Sequence, residues 1–255
     1  MSLSAAELAT LRALREAFPK QPLALIGAAA LGLQVDMKWR RTADVDLVVV
    51  VSIDEAYAIL TGREGWRRHD RNEHEWRSPS GVKVDLLPVS QEALAARTLR
   101  WPASGHEMNL TGIRHAFAAA PVALAPGLHL PVAPVHVIAL LKIVAYLDRP
   151  VEREKDLSDV AHIFYEYPAI DDDRFFEDDI LQLGLIEQEA RPFILGREVA
   201  AIVDGDERAI VEAFCRRVLD DGPDGARWVR NGPWLHTEET AMERLERFLE
   251  GVRAT

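Results

Sequence analysis

Asp44 and Asp46 stand one residue apart at the head of the run Asp44-Val45-Asp46-Leu47-Val48-Val49-Val50-Val51. The β-branched run predicts a buried strand, and side chains alternate faces along a strand. Both carboxylates therefore share one face while Val45 and Leu47 share the other. Two adjacent carboxylates repel unless a cation lies between them or one takes a proton. A second alternating segment, Val82-Lys83-Val84-Asp85-Leu86-Leu87-Pro88, places one more carboxylate among apolar neighbours. Upstream, Leu23-Ala24-Leu25-Ile26 breaks at Gly27 into the Ala-rich stretch Ala28-Ala29-Ala30-Leu31. A glycine opening a helix lets backbone N–H groups approach an anion. An anion cradle followed by three strand-borne carboxylates suits metal-assisted transfer of a nucleotidyl group, with divalent ions at the attacking oxygen and the triphosphate.

Gly27-Ala28, Asp44-Val45-Asp46 and Asp85 together resemble the DNA polymerase β-type nucleotidyltransferase superfamily. Arg41-Thr42-Ala43-Asp44-Val45-Asp46-Leu47, Leu130-Pro131-Val132-Ala133, Leu140-Leu141-Lys142 and Lys155-Asp156-Leu157-Ser158-Asp159-Val160 resemble its bacterial branch of AbiEii-like toxins and their relatives. The resemblance spans roughly residues 20 to 165 and implies roles for these positions. Asp44, Asp46 and Asp85 would hold Mg2+ or Mn2+, and Asp85 would help deprotonate an acceptor hydroxyl. Gly27, Ala28 and Arg41 would bind the nucleotide. Lys142 would face the triphosphate, with Asp159 as the residue that positions it. Ala28 replaces the family's usual glycine or serine, and the gap from there to Asp44 is long.

The elements that must position these residues read as an α/β (α+β) chain. A mixed nucleotidyltransferase-type sheet flanked by helices is expected over residues 1–133, and an all-helical region over 134–255. Ser4-Ala5-Ala6-Glu7 reads as a capping box, and Leu8, Leu11, Leu14 and Phe18 form one helical face. A helix follows near Asp54 to Leu60, an edge hairpin over Trp66 to Arg77, and a helix over Gln91 to Leu99. Strands or loops are expected over Met108–Ala118 and Val122–Leu130. A long apolar helix runs from Val135 to Leu147. The next, from Asp156, buries Leu157, Val160, Ala161 and Phe164 and leaves Asp156, Asp159 and His162 on the opposite stripe, with Asp156 read as a helix cap. Further helices are expected over 173–183, from 190 or 193 to 203, 206–219 and 237–252, with residues 220–225 as a loop.

The 255 residues carry 30 Lys and Arg against 41 Asp and Glu, a formal charge of −11. A net acidic chain does not attract nucleic acid broadly, so an RNA acceptor would need a local basic patch such as Lys38, Arg40 and Arg41. The acceptor is open among small molecule, protein and RNA, with a small or protein-borne one favoured. An antitoxin protein is a further expected partner. No stretch of eighteen apolar residues predicts a membrane span. The single cysteine, Cys215, and the lack of a signal pattern predict a cytoplasmic protein with Cys215 in the core. The segment from His69 to Glu75 carries metal-ligand types without metalloenzyme spacing and reads as an exposed hairpin. Lys142 interrupts an apolar helix; it either snorkels to solvent or meets an anion, and Lys142→Met is expected to keep the fold. Two other readings stay open: a catalytically silent fold that binds nucleotide or a partner, favoured by Ala28, and an aminoglycoside-type resistance nucleotidyltransferase.

Overall fold

A computed structural model describes all residues except Met1, Arg40, Arg41, Ala43, Asp221, Leu235, His236 and Thr255. The chain divides into two compact units, Met1–Pro134 and Val135–Thr255.

In the first unit, helix α1 (Ala5–Ala17) begins with Ser4 and Glu7 capping each other, satisfying two helix-end donors. Strand β1 (Leu23–Ile26) leads into the short helix α2 (Gly27–Gly32) and then β2 (Asp44–Val50) and α3 (Ile53–Thr61). Next come β3 (Arg67–Arg68), β4 (Glu75–Arg77), β5 (Lys83–Val89), α4 (Gln91–Ala96) and the pair β6 (Thr98–Arg100) and β7 (Glu107–Asn109). A turn of helix, α5 (Arg114–Phe117), precedes the hairpin β8 (Pro121–Ala125) and β9 (Leu128–Pro131). The central sheet is mixed, in the order β1-β2-β5-β4-β3. Strand β2 runs parallel to β5, while β1 and β4 are antiparallel to their neighbours. The expected helix over residues 91–99 is cut short at Arg97, whose left-handed φ of 54° ends α4 and turns the chain into β6.

The second unit is helical throughout: α6 (Val135–Asp148), α7 (Glu154–Glu166), a 3₁₀ turn (Asp173–Phe176), α8 (Asp178–Leu183), α9 (Glu187–Ile202), α10 (Gly205–Leu219), α11 (Pro223–Asn231) and α12 (Glu238–Arg253). Its core stacks Phe164 against Trp228 and Phe248, with Phe214 beside Trp228. Cys215 is fully buried there, and burial pushes its thiol upward, which keeps it inert. Helices α9 and α12 meet through two glycines. A methyl built on Gly251 would fall 3.0 Å from the Arg197 amide nitrogen and closer still to the Phe193 carbonyl oxygen. On Gly196 it would fall 2.9 Å from the Val252 nitrogen and closer to the Phe248 carbonyl oxygen. Backbone therefore packs on backbone at this crossing, which only a missing Cβ permits. Helix α11 corrects the expected loop over residues 220–225. Pro223 takes the first helical position, where its absent N–H costs nothing.

Candidate active site

The exposure of β2 alternates as its sequence does. Asp44 and Asp46 are half-buried on one face, while Val45 and Leu47 are fully buried on the other. Register extends this row sideways: Asp46 lies opposite Asp85 of β5, and Asp85 lies opposite Glu75 of β4. Asp44 pairs with Lys83 in the same way. Three adjacent strands thus present Asp44, Asp46, Asp85 and Glu75 on one side of the sheet, together with Lys83.

Lys83 organises the group. Its ammonium donates to Asp85 Oδ2 at 3.3 Å and lies 3.6 Å from both Asp44 Oδ2 and Glu75 Oε2. Burial alone would lower the Lys83 pKa, but Asp85, Glu75 and Asp44 outweigh it and hold the ammonium above its ordinary value. The Glu75 carboxyl is held below its ordinary value, first by a hydrogen bond from the Asn72 side chain and further by Lys83. Thr42 donates from Oγ1 to Asp44 Oδ1 at 2.6 Å, fixing that carboxylate's rotation.

On the far side of Asp46 lies Gly27, which pairs through Ile26 of β1 and starts α2. Gly27 has a φ of +67°, and a methyl built there would fall 2.7 Å from Asp46 Cγ. The strand-to-helix turn therefore presses its bare backbone against the carboxylate. Gly27→Ala is expected to destabilise the first unit by at least about 1–2 kcal/mol, the cost of a left-handed alanine, and to turn the Asp46 side chain away. A loss smaller than this in urea denaturation would mean that the turn adjusts freely. Ala28, next in α2, is almost wholly buried.

Among the described residues, buried Asp85 Oδ1 has no hydrogen-bond partner, so one lone-pair face of this carboxylate is open to a donor or a cation. The donor set is all carboxylate oxygen, the chemistry that suits Mg2+ or Mn2+. Among the described residues, however, no three His, Cys, Asp or Glu side chains are arranged as the ligands of one ion. Asp44, Asp85 and Glu75 converge on Lys83 instead. The residues fit a hard divalent cation in type, and the lysine supplies the positive charge in this arrangement.

Lys83 and Glu75 escape the sequence reading. Lys83 is two residues before Asp85 on the same strand, so its face was legible from period two alone. Glu75 belongs to a three-residue strand whose register with β5 no local pattern reveals, and its segment reads as an exposed hairpin from sequence. Most of that segment is indeed exposed, but Glu73 accepts hydrogen bonds from the Ala103 and Ser104 amides and pins the turn between β6 and β7.

Of the other expected site residues, Arg41 lies outside the described residues, as does Arg40. Lys38 is exposed and paired with Asp36 at 2.8 Å. Lys142 and Asp159 belong to the second unit. Lys142 is 7% exposed, so it does not snorkel. Its ammonium donates to Asp156 Oδ1 at 3.0 Å and to Asp159 Oδ2 at 2.6 Å. Asp156 is the third residue of α7 and not its cap, which is Arg153. The polar stripe of α7 therefore faces inward at Asp156 and Asp159, because Lys142 of α6 meets it there. Burial lowers the Lys142 pKa, but Asp156 and Asp159 more than offset this and raise it.

No protein-family model matches the chain, and no curated protein matches its sequence. Two solved structures are similar over nearly all of it. One is JHP933 from Helicobacter pylori, at 13% identity and a TM-score of 0.42, covering 99% of this chain and 94% of the other. The second, described as a candidate nucleotidyltransferase from H. pylori, gives 12% identity and a TM-score of 0.37 over 99% and 97% of the two chains.

Proposed function

We propose that the chain is a nucleotidyltransferase of the DNA polymerase β type, moving a nucleoside monophosphate from a nucleoside triphosphate to an acceptor hydroxyl. The observation that carries this reading is the row of Asp44, Asp46 and Asp85 across two parallel strands, with Gly27 packed against it and one Asp85 oxygen unsatisfied. Asp44, Asp46 and Asp85 would hold Mg2+ or Mn2+. When bound, the metal neutralises the triphosphate and makes the acceptor oxygen a better nucleophile. Asp85 Oδ1 would accept the acceptor proton, and the Gly27 and Ala28 backbone would meet phosphate oxygens. Membership in the AbiEii-like branch, with an antitoxin as partner and a cytoplasmic setting, is the finer form of this proposal and follows from the sequence resemblance.

The test is transfer of label from each radiolabelled nucleoside triphosphate to cell-extract acceptors under Mg2+ or Mn2+. Wild type is expected to label at least one acceptor, and Asp44→Ala none. The silent-fold reading is favoured by the convergence of Asp44, Asp85 and Glu75 on the Lys83 ammonium. It would stand if no acceptor were labelled under either metal while triphosphate still bound.

Lys83 offers a separate check that does not depend on turnover. Its ammonium lies among the carboxylates that would hold the ion, and a unit charge at this range opposes a second cation by about 1 kcal/mol or more. Lys83→Met is therefore expected to tighten Mn2+ binding roughly tenfold, read from the free-Mn2+ electron paramagnetic resonance signal. Unchanged or weaker binding would place the metal elsewhere.

A further inference from the structure

Seven large hydrophobic side chains are strongly exposed among the described residues, and five of them fall between residues 170 and 186: Ile170, Phe176, Leu181, Leu183 and Ile186. Each of the five is more than half exposed. They sit outside a small cluster in which Ile180, Ala190, Phe193 and Ile194 pack with Phe175 and Leu185. That cluster anchors the 3₁₀ turn and α8 to α9, so the segment is held while its outer apolar side chains meet water. Large apolar side chains exposed singly are normal, but five so close in sequence, with exposed acidic neighbours, mark a candidate interaction surface.

The segment is net acidic. Residues 169 to 198 contain nine Asp and Glu against three Arg, which accounts for six of the chain's eleven net negative charges. All three arginines are engaged within this segment: Arg174 by Asp172 and Glu198, Arg191 by Glu187, and Arg197 by Glu177 and Asp179. Asp171, Asp173 and Asp178 are exposed beside the apolar side chains.

We infer that this surface binds a cationic amphipathic segment of another protein, with an apolar face edged by Lys or Arg. Apolar contact supplies the area, and the acidic rim selects the sign of the partner. A second copy of this chain would set like charges face to face. Anionic lipid headgroups would be repelled in the same way. The inference is independent of the transfer chemistry proposed for the first unit.

The probe is a pair of synthetic amphipathic helices with the same leucine face, one edged with lysine and the other with glutamate, followed by fluorescence anisotropy. The lysine peptide is expected to bind at least roughly tenfold more tightly than its counterpart, and to weaken as salt rises. Leu181→Ser with Leu183→Ser should weaken it by a similar factor while circular dichroism stays unchanged, since both positions are exposed. Asp171→Lys with Asp178→Lys should shift preference toward the glutamate peptide. The same charge change at Glu64 and Asp70, both exposed in the first unit, should leave the preference as in wild type. Equal binding of the two peptides, or binding indifferent to the serine pair, would overturn the inference. So would a wild-type dimer that the serine pair dissolves, or a preference for anionic vesicles over the lysine peptide.

Discussion

Lys142→Met is expected to lower the stability of the helical unit by about 3–5 kcal/mol, a large share of the roughly 5–15 kcal/mol that holds an ordinary protein folded. The sequence alone suggested a tolerated change, because methionine preserves the stem volume. The structure reverses that expectation. The Lys142 ammonium is the shared partner of Asp156, 6% exposed, and Asp159, fully buried, and methionine would leave two buried carboxylates facing an apolar group. Urea denaturation measures the loss, and Lys142→Met with Asp156→Asn and Asp159→Asn should recover much of it. The pH dependence has a definite sign. The raised folded-state pKa of Lys142 means its contribution is complete below the ordinary lysine value of 10.5 and disappears as pH climbs through the raised one. Full stability of Lys142→Met at neutral pH would show that the Lys142 ion pairs contribute nothing to the fold.

Asp46→Asn is expected to act in the opposite way on the first unit. It removes one of two like charges on one strand face, so the metal-free fold should be kept or gain slightly. Stabilisation of the protein by Mg2+ with a nucleoside triphosphate should vanish, since an amide is a poor ligand for a hard cation. Transfer should fall by about a hundredfold to a thousandfold, the usual loss when one preorganised electrostatic group is removed from a reacting centre. Thermal melts with and without metal and triphosphate separate the two roles. If Asp46→Asn melts early without metal, yet still gains stability from metal and triphosphate, the aspartate is structural and the site lies elsewhere.

The residues differ in how readable they were. Asp44, Asp46 and Asp85 were legible because a buried strand with period-two alternation fixes which side chains share a face. The mixed sheet followed by helices was legible for the same kind of reason, since the period changes at Val135. Glu75 was not, because its place beside Asp85 depends on cross-strand register, which only the folded sheet defines. The partners of Lys142 were half legible: Asp156 and Asp159 have helical spacing, but the direction of their stripe depends on how α7 packs on α6. Helix α11 was hidden behind turn residues. Pro223 and Gly225 read as loop, yet Gly225 is buried in a helix where a methyl would fall 2.8 Å from the Val218 carbonyl oxygen. Close packing required the glycine there, and flexibility did not.

The crossing of α9 and α12 at Gly196 and Gly251 bears on the order in which the molecule is made. Helix α9 completes its inner surface only when the backbone near Phe248 and Gly251 lies against it, and Phe164 and Trp228 await the same helix. A chain still being synthesised can close the mixed sheet and pair Lys142 with its aspartates well before residue 251 emerges. Its helical half must meanwhile keep Phe164, Phe193 and Trp228 partly uncovered, a window in which a chaperone would find apolar surface to hold. Slowing translation just upstream of residue 238 should lengthen that window and lower the yield of folded protein, whereas a pause near residue 134 should not.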